Sequence, residues 1–117
     1  AGRLATTCRQ DRAMTSPTQR SLAHLRERYP LVQVVEKWIP QARKRVDLYG
    51  IIDILCVSDS EIVGVQATSG TNVAARVSKI AESPATPVLR KAGIRILVHG
   101  WRKNAQGRWT LREVDCS

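Results

Sequence analysis

The sequence predicts an α/β domain in which helices cover both faces of a central sheet. Two segments, residues 46–57 and 61–68, are dense in isoleucine and valine and do not alternate cleanly between apolar and polar residues. Such segments are typical of strands that are buried on both faces. In residues 72–82, which follow them, apolar side chains recur at helical spacing. Strands and helices of this kind in one short chain indicate the α/β class.

The elements are predicted in the order α-β-β-β-α-α-β-β. A first helix begins at Ser16, a favoured capping residue that Pro17 follows, and it ends before Pro30. The next elements, in order, are strands at 31–39, 46–57 and 61–68, helices at 72–82 and 86–93, and strands at 94–98 and 108–114.

A chain of 117 residues is long enough for one hydrophobic core and too short for two. Residues 1–13 show no sustained periodicity and are predicted to be a flexible tail, or residues upstream of a native start at Met14. Residues 14–117 are predicted to form a single domain. No apolar run reaches the ~20 residues of a membrane helix, and no secretory signal is evident, so we expect a cytoplasmic protein.

The net charge of +9, from 19 Lys and Arg against 10 Asp and Glu, favours polyanionic partners. The cations cluster in two places, one of which also carries indole rings that suit stacking on bases. These clusters are Arg43, Lys44 and Arg45, and then Trp101, Arg102, Lys103, Arg108 and Trp109. A ribosome-associated or other RNA-binding basic protein would have a similar charge, and that alternative stays open.

Other site chemistries have weaker support. The three cysteines have no metal-ligand spacing, and Cys56 lies in an apolar run, where it is predicted to be a small buried hydrophobe. Only two histidines are present, and there is neither a phosphate-binding glycine loop nor a nucleophile elbow. The sequence therefore does not favour a histidine-centred hydrolase.

Two polar residues, Asp53 and Gln66, lie within the apolar strand segments. If Asp59 and Ser60 form a two-residue turn, the numbers of facing residues sum to ~119 and Asp53 lies opposite Gln66. Their Cβ atoms are then ~5 Å apart on the same face of the sheet. A buried carboxylate is costly unless it is paired, hydrogen-bonded or bound to a cation.

The same face is predicted to collect further oxygen ligands. Thr68 shares it because strand side chains repeat every two residues, and Asp47 shares it if Gly50 introduces no bulge. Carboxylate, amide and hydroxyl oxygens are the ligands that hard cations such as Mg²⁺ prefer. The pattern therefore predicts a cation site on this hairpin.

Residues 45–53 and 64–68 resemble the active-site hairpin of the PD-(D/E)XK nuclease superfamily, which includes many restriction enzymes and Holliday-junction resolvases. The resemblance spans roughly residues 18–109. It implies a restriction-endonuclease-like fold, with an α-β-β-β-α-β core and a central mixed sheet flanked by helices. It also implies a Mg²⁺- or Mn²⁺-dependent endonuclease that acts on duplex or branched DNA, including junctions, as a homodimer and without a small-molecule cofactor.

The resemblance also assigns residues. Asp53 matches the metal-binding aspartate, Gln66 stands where glutamate is usual, and Thr68 stands where lysine is usual. The backbone carbonyl of Ala67 would face the metal, and Glu36 resembles the extra acidic ligand of resolvase-like members.

The departures from this pattern imply compensation. Gln66 brings no charge, so metal affinity should fall unless Asp47 restores the lost acid. Thr68 cannot supply a cation, and Arg76 and Lys79 on the next helix are the candidates to replace it. The predicted metal ligands are thus Asp53, Gln66, Ala67, Glu36 and Asp47, and the predicted catalytic residues are Asp53, Gln66, Thr68, Lys79 and Arg76.

The helix start at residues 69–72 could add backbone N–H donors for a phosphate. The predicted nucleic-acid-binding residues are Arg43, Lys44, Arg45, Asn72, Arg76, Trp101, Arg102, Lys103 and Arg108. Because Gln66 and Thr68 depart from the family pattern, a catalytically weakened or inactive nucleic-acid-binding module of the same fold is the first alternative.

Overall fold

The structure is a computed structural model that describes residues 16–117, so the predicted tail at 1–13 lies outside the described residues. None of the helices in this range is long and apolar enough to cross a membrane. The helices are α1 (Pro17–Arg26), α2 (Val73–Glu82) and α3 (Ala85–Lys91). The strands are β1 (Leu31–Val34), β2 (Lys37–Ile39), β3 (Lys44–Val46), β4 (Ile54–Val57), β5 (Ile62–Ser69), β6 (Ile94–Lys103) and β7 (Trp109–Asp115).

Five of the strands form one mixed sheet in the order β1-β4-β5-β6-β7. Neighbouring strands are antiparallel except for β5 and β6, which run parallel because α2 and α3 connect them. Strands β2 and β3 form a separate two-stranded hairpin. The prediction of an α/β protein with a mixed sheet flanked by helices is therefore confirmed.

Helix α1 covers one face of the sheet. Ser16 caps it by accepting a hydrogen bond from the backbone N–H of Gln19 at 3.2 Å. Leu22 and Leu25 of this helix pack into an apolar cluster with sheet residues that include Cys56. Cys56 is fully buried, as predicted for a small apolar side chain.

Helices α2 and α3 cover the other face. The cluster on this side contains Ile51, Ile52, Val73, Ile80, Leu89, Ile96, Val98 and Cys116. Side chains alternate along β5, so that Val63 and Val65 face α1 while Gln66 and Thr68 face α2. The polar residues singled out from the sequence therefore lie under the α2 side of the sheet.

The predicted strand at 31–39 is wrong as a single element. Only β1 belongs to the main sheet, where Val34 pairs with Ile54, and the chain then leaves it through Val35 and Glu36 to begin β2. The apolar residues that suggested one long strand are shared between two sheets. Strand β2 pairs with β3 because Pro40 begins a tight turn, in which the N–H of Arg43 donates to the Pro40 carbonyl at 3.2 Å.

The predicted strand at 46–57 is also wrong as a single element. Tyr49 and Gly50 adopt positive φ angles of 54° and 79°, and the N–H of Gly50 donates to the carbonyl of Asp47 at 2.9 Å. Two successive left-handed residues reverse the chain, so residues 47–53 form a compact loop. The condition that Gly50 leaves the strand unbroken is therefore not met, and β4 begins only at Ile54.

The remaining elements agree with the prediction in kind and differ in length. Residues 70–72 form a 3-10 turn before α2, so the predicted helix start at 69–72 is tighter than an α-helix. Strand β6 extends to Lys103, beyond the predicted end at residue 98. Strands β6 and β7 are joined by the polar loop at residues 104–108.

A buried polar network ties α1 to β6 and β7. Trp101 Nε1 can only donate a hydrogen bond, so Ser21 Oγ accepts it at 2.8 Å and uses its own hydrogen on His99 Nδ1 at 2.9 Å. His99 Nε2 therefore carries the ring hydrogen and donates to Glu113 Oε2 at 2.9 Å. His99 is fully buried, and burial lowers the pKa of His99 below its usual 6.5, against the opposing effect of Glu113.

The lowered pKa of His99 predicts a loss of stability in acid. The unfolded chain takes up a proton near pH 6.5 that the folded protein binds only at lower pH, so stability falls as pH drops below 6.5. His99→Gln has no such proton, so the stability advantage of the wild type over it should shrink as pH falls below 6.5. Urea unfolding at several pH values below 7 measures this difference, and a constant difference would contradict the assignment.

Candidate metal centre

The site is built on the β4–β5 hairpin. The N–H of Ser58 donates to the carbonyl of Glu61 at 2.9 Å, which closes the two-residue turn predicted between them. Ile54 then faces Val65, and the numbers of facing residues sum to 119 along the whole pair, as predicted. This register puts the residue before β4 next to Gln66.

Gln66 joins two carboxylates. Its Nε2 donates to Asp53 Oδ1 at 2.9 Å and to Asp47 Oδ2 at 2.8 Å. The second oxygen of Asp53 accepts the backbone N–H of Ala67 at 2.9 Å. The predicted proximity of Asp47, Asp53 and Gln66 is therefore confirmed, although Asp47 reaches the site from the loop at residues 47–53 and not from a shared strand.

Glu36 completes a group of three acids with Asp47 and Asp53, here called the carboxylate cluster. One oxygen of each lies within 4.8 Å of the others. The three residues precede β2, follow β3 and precede β4, respectively, so three separate backbone segments converge at one point. Mutual repulsion among the acids is reduced by two cations, Arg45 at 3.2 Å from Glu36 and Lys79 at 3.5 Å from Asp47.

The cluster is buried at one end and open at the other. Asp53 is 5% exposed and Gln66 1%, whereas the side chains of Asp47 and Glu36 are 13% and 15% exposed. Beside them an open groove of about 510 Å³ runs between the loop at residues 49–51 and α2, and Lys79 lines it. Asp47 and Glu36 are therefore partly accessible to solvent, and Lys79 connects Asp47 with the groove.

Burial raises the pKa of Asp53 to about 7, and the neighbouring Asp47 adds to this effect. For Asp47, burial acts in the same direction, but hydrogen bonds with Asp53 and Gln66 and the charge of Lys79 outweigh it and lower the pKa. The two acids therefore share about one proton in mildly acidic solution and release it as pH rises through about 7. That proton and the two cations offset the three carboxylates.

The amide oxygen of Gln66 has no hydrogen-bond partner within residues 16–117, although it is fully buried. Leaving a buried acceptor unpaired costs about 1–3 kcal/mol, so the atom calls for an explanation. A half-turn of the amide would exchange its nitrogen and oxygen and present the oxygen to the carboxylates. A bound cation would favour that orientation.

The donor set fits a hard divalent cation. The three acidic side chains contribute only carboxylate oxygens, and Gln66 would add its amide oxygen once its amide is turned. Opposite ligands of Mg²⁺ lie ~4.2 Å apart, so small side-chain shifts would bring the cluster to coordination distance. Glu36, Asp47, Asp53 and the turned amide of Gln66 are the residues that would hold such an ion.

The other predicted catalytic and metal-binding residues differ in how closely they approach the cluster. Lys79 contacts Asp47 from α2, while Arg76, one turn earlier and half-buried, makes no hydrogen bond or ion pair to the cluster within residues 16–117. Thr68 is buried on the same face of β5. Ala67 meets Asp53 through its N–H, whereas the prediction concerned its carbonyl oxygen.

The predicted nucleic-acid contacts lie in separate places on the protein. Arg43, Lys44 and Arg45 are exposed on the β2–β3 hairpin, and Arg102, Lys103 and Arg108 are exposed around the β6–β7 turn. Trp101 belongs to the buried network with Ser21, and its ring also meets His24 edge-on with centroids 6.3 Å apart. Asn72 is exposed in the 3-10 turn, where its side chain donates to Ser69.

Two exposed aromatic residues near the site were missed from the sequence. Trp38 on β2 is 53% exposed and Tyr49 in the loop beside the cluster is 64% exposed. The signal for Trp38 was its position between Glu36 and the basic residues, but a strand assigned to residues 31–39 made it look like a core residue. No sequence signal distinguished Tyr49.

In comparisons with known proteins, the chain has no significant match to any family model, curated protein or solved structure. The case for the site therefore depends on its geometry and chemistry.

The raised pKa of Asp53 predicts that this acid lowers the stability of the folded protein more and more as pH rises. The folded protein holds a proton on Asp53 up to about pH 7, whereas the unfolded chain releases it near 3.8, so stability is lost as pH rises through that interval. Asp53→Asn has no such proton. Its stability relative to the wild type should increase by about 2–3 kcal/mol between about pH 5 and pH 8.

Urea unfolding in EDTA at these pH values measures the effect. Asp59→Asn, at the exposed turn of the same hairpin, serves as the control and should follow the wild-type profile. Parallel profiles for the wild type and Asp53→Asn would show that Asp53 is ionised throughout the range.

Proposed function

We propose that this protein is a metal-dependent endonuclease of the PD-(D/E)XK type that hydrolyses phosphodiester bonds in DNA with Mg²⁺ or Mn²⁺. The single observation that carries the proposal is the carboxylate cluster beside an amide whose buried oxygen has no partner within residues 16–117. A structural role for the acids explains their pairing with Arg45 and Lys79. It does not explain why three carboxylates converge, or why the amide that joins two of them has a buried oxygen without a partner within residues 16–117.

In the proposed mechanism, Glu36, Asp47, Asp53 and the amide oxygen of Gln66 hold the cation. When bound, a divalent cation supplies Lewis-acid stabilisation of the phosphate and lowers the pKa of a water molecule. Asp53 must lose its proton for this, so metal binding is coupled to proton release. The open side at Glu36 and Asp47 is where a phosphate would approach.

Lys79 has the role that the resemblance assigns to a lysine at the position of Thr68. Its ammonium group lies 3.5 Å from Asp47 and projects from α2 over the groove. From there it would offset the charge that develops on the phosphate and orient the attacking water. Arg76, on the same side of α2, would contact a neighbouring phosphate.

DNA is the proposed substrate because the exposed surface carries two groups of cations, one of which adjoins the site. The β2–β3 hairpin, which adjoins the cluster, and the β6–β7 turn each carry three or more of them, which would neutralise backbone phosphates. Cleavage of two strands would require a second subunit, and a homodimer remains part of the proposal. Sedimentation velocity with and without a four-way junction tests it.

A non-cleaving nucleic-acid-binding module of the same fold is the second candidate. The observation that favours it is the position of the Gln66 Nε2, which lies between Asp47 and Asp53 and satisfies both carboxylates without a metal. In such a module, the amide nitrogen of Gln66 would take the place of the cation between the two carboxylates.

Cleavage assays provide the primary test. Wild-type protein with Mg²⁺ or Mn²⁺ should nick supercoiled plasmid, and Asp53→Ala should lower the rate by about 100-fold or more because the innermost ligand is lost. Plasmid conversion on agarose gels, alongside flap and four-way-junction substrates, measures this activity.

The matched control is Asp59→Ala, which removes an exposed carboxylate from the opposite end of the same hairpin and should cut at the wild-type rate. Equal activity of wild type and Asp53→Ala would refute the nuclease assignment, as would tight DNA binding without cleavage under every divalent metal tried.

Restoring the missing acid separates the two candidates. Gln66→Glu adds a fourth carboxylate, so Mn²⁺ affinity should rise by about tenfold while the metal-free protein loses thermal stability from added repulsion. Isothermal titration with Mn²⁺ and thermal melts in EDTA measure the two effects. A variant that gains no Mn²⁺ affinity would favour the module, in which the site is a hydrogen-bonded structural feature.

A further inference from the structure

The β2–β3 hairpin, residues 37–46, is a separate arm that carries its own binding surface. Five of its six strand residues are exposed, Ile39 is half-buried, and the four residues of its turn are all exposed. An isolated two-stranded hairpin has little stability of its own in water. An arm of this kind that keeps a tryptophan in solvent therefore calls for a partner.

Both ends of the arm are anchored in the carboxylate cluster. Glu36 immediately precedes β2, and Asp47 immediately follows β3. Lys37 faces Val46, and the same register places Glu36 opposite Asp47 at the base of the arm. A ligand that binds along the arm would therefore extend to the carboxylate cluster at its base.

One face of the arm is continuous with the cluster. Trp38 lies directly opposite Arg45, and each is two residues from an acid at the base, so all four share one face. The contact of Arg45 with Glu36 at 3.2 Å agrees with this arrangement. At ~3.3 Å per residue, the backbone of Trp38 is ~7 Å from that of Glu36, about the rise of two stacked bases.

The arm combines an aromatic ring with a high density of positive charge. Trp38 is the only aromatic residue in residues 37–46, and four cations accompany it. They are Lys37, Arg43, Lys44 and Arg45, with no acid between residues 37 and 46. Surfaces that bind single-stranded nucleic acid combine cations, which contact its phosphate backbone, with aromatic rings on which its bases stack.

We infer that the arm recognises DNA with unpaired bases, and that Trp38 stacks on a base close to the phosphate held at the carboxylate cluster. This deepens the proposed nuclease function and rests on it for the position of the cleaved bond. A base within an intact duplex has both faces covered by its neighbours, so the ring would stack where a base face is exposed, as at a single strand or a flap. The substrate class is therefore branched or single-stranded DNA.

The test separates binding from cleavage by working in EDTA. Fluorescein-labelled DNA of about 20 nucleotides, offered as a single strand and as a blunt duplex of the same sequence, is titrated with each variant and followed by anisotropy. Trp38→Ala should bind the single strand about 5- to 150-fold more weakly than wild type, with little change on the duplex. Trp38→Phe keeps a ring and should recover part of the loss.

Leu31→Ala is the matched control because Leu31 is 63% exposed on β1 at the end of the sheet away from the cluster, where it pairs with Val57. It should bind both DNAs as wild type does. Circular dichroism and thermal melts establish that each variant is folded.

The outcomes are distinct for the arm and for the nuclease. Unchanged single-strand binding by Trp38→Ala, or an equal loss on single strand and duplex, overturns the inference. Tighter binding to RNA of the same sequence, with equal dependence on Trp38, overturns DNA as the partner. A selective loss of single-strand binding by Trp38→Ala in EDTA supports the proposed role of the arm even if the wild-type protein cuts no DNA. The plasmid assay tests the nuclease proposal separately.

Discussion

The pairing of Asp53 with Gln66 across the β4–β5 hairpin is the contact on which the rest of the site depends. The two-residue turn sets the register, and a slip of one residue would move Gln66 to the α1 face, among packed aliphatic side chains. With the register in place, one amide holds two carboxylates and the backbone of Ala67 holds the inner one. A short turn in the sequence thus positions a polar group inside the core.

Within residues 16–117, two polar networks lie on opposite faces of the sheet, and the one on the α1 face is the complete one. On the α1 face, Trp101, Ser21, His99 and Glu113 form a chain in which every donor meets an acceptor. On the α2 face, the Gln66 oxygen lacks a partner within residues 16–117, and burial raises the pKa of Asp53. The first network stabilises packing. The second keeps a buried acid and an unpaired amide oxygen in unfavourable surroundings that solvent partly reaches, which is typical of functional sites.

Convergence of several chain segments links the site to its surroundings. Glu36 and Asp47 are both ligand candidates and the two ends of the β2–β3 arm, while Lys79 connects the same cluster to α2 and the groove. A ligand that moves the arm would therefore move two carboxylates, and a cation that draws the acids together would fix the arm. If the protein has the proposed function, binding of DNA and binding of metal would reinforce each other through the backbone.

Local sequence patterns were enough to predict the class of fold, the cap at Ser16 and the facing of Asp53 and Gln66, because turn chemistry and side-chain alternation act over a few residues. The splitting of residues 31–39 between two sheets and the route by which Asp47 reaches the cluster became visible only in the fold. Positive φ angles at Tyr49 and Gly50 reverse the chain, and apolar periodicity carries no signal for such a turn. The exposure of Trp38 and the unsatisfied oxygen of Gln66 also required the fold, since burial depends on residues distant in sequence.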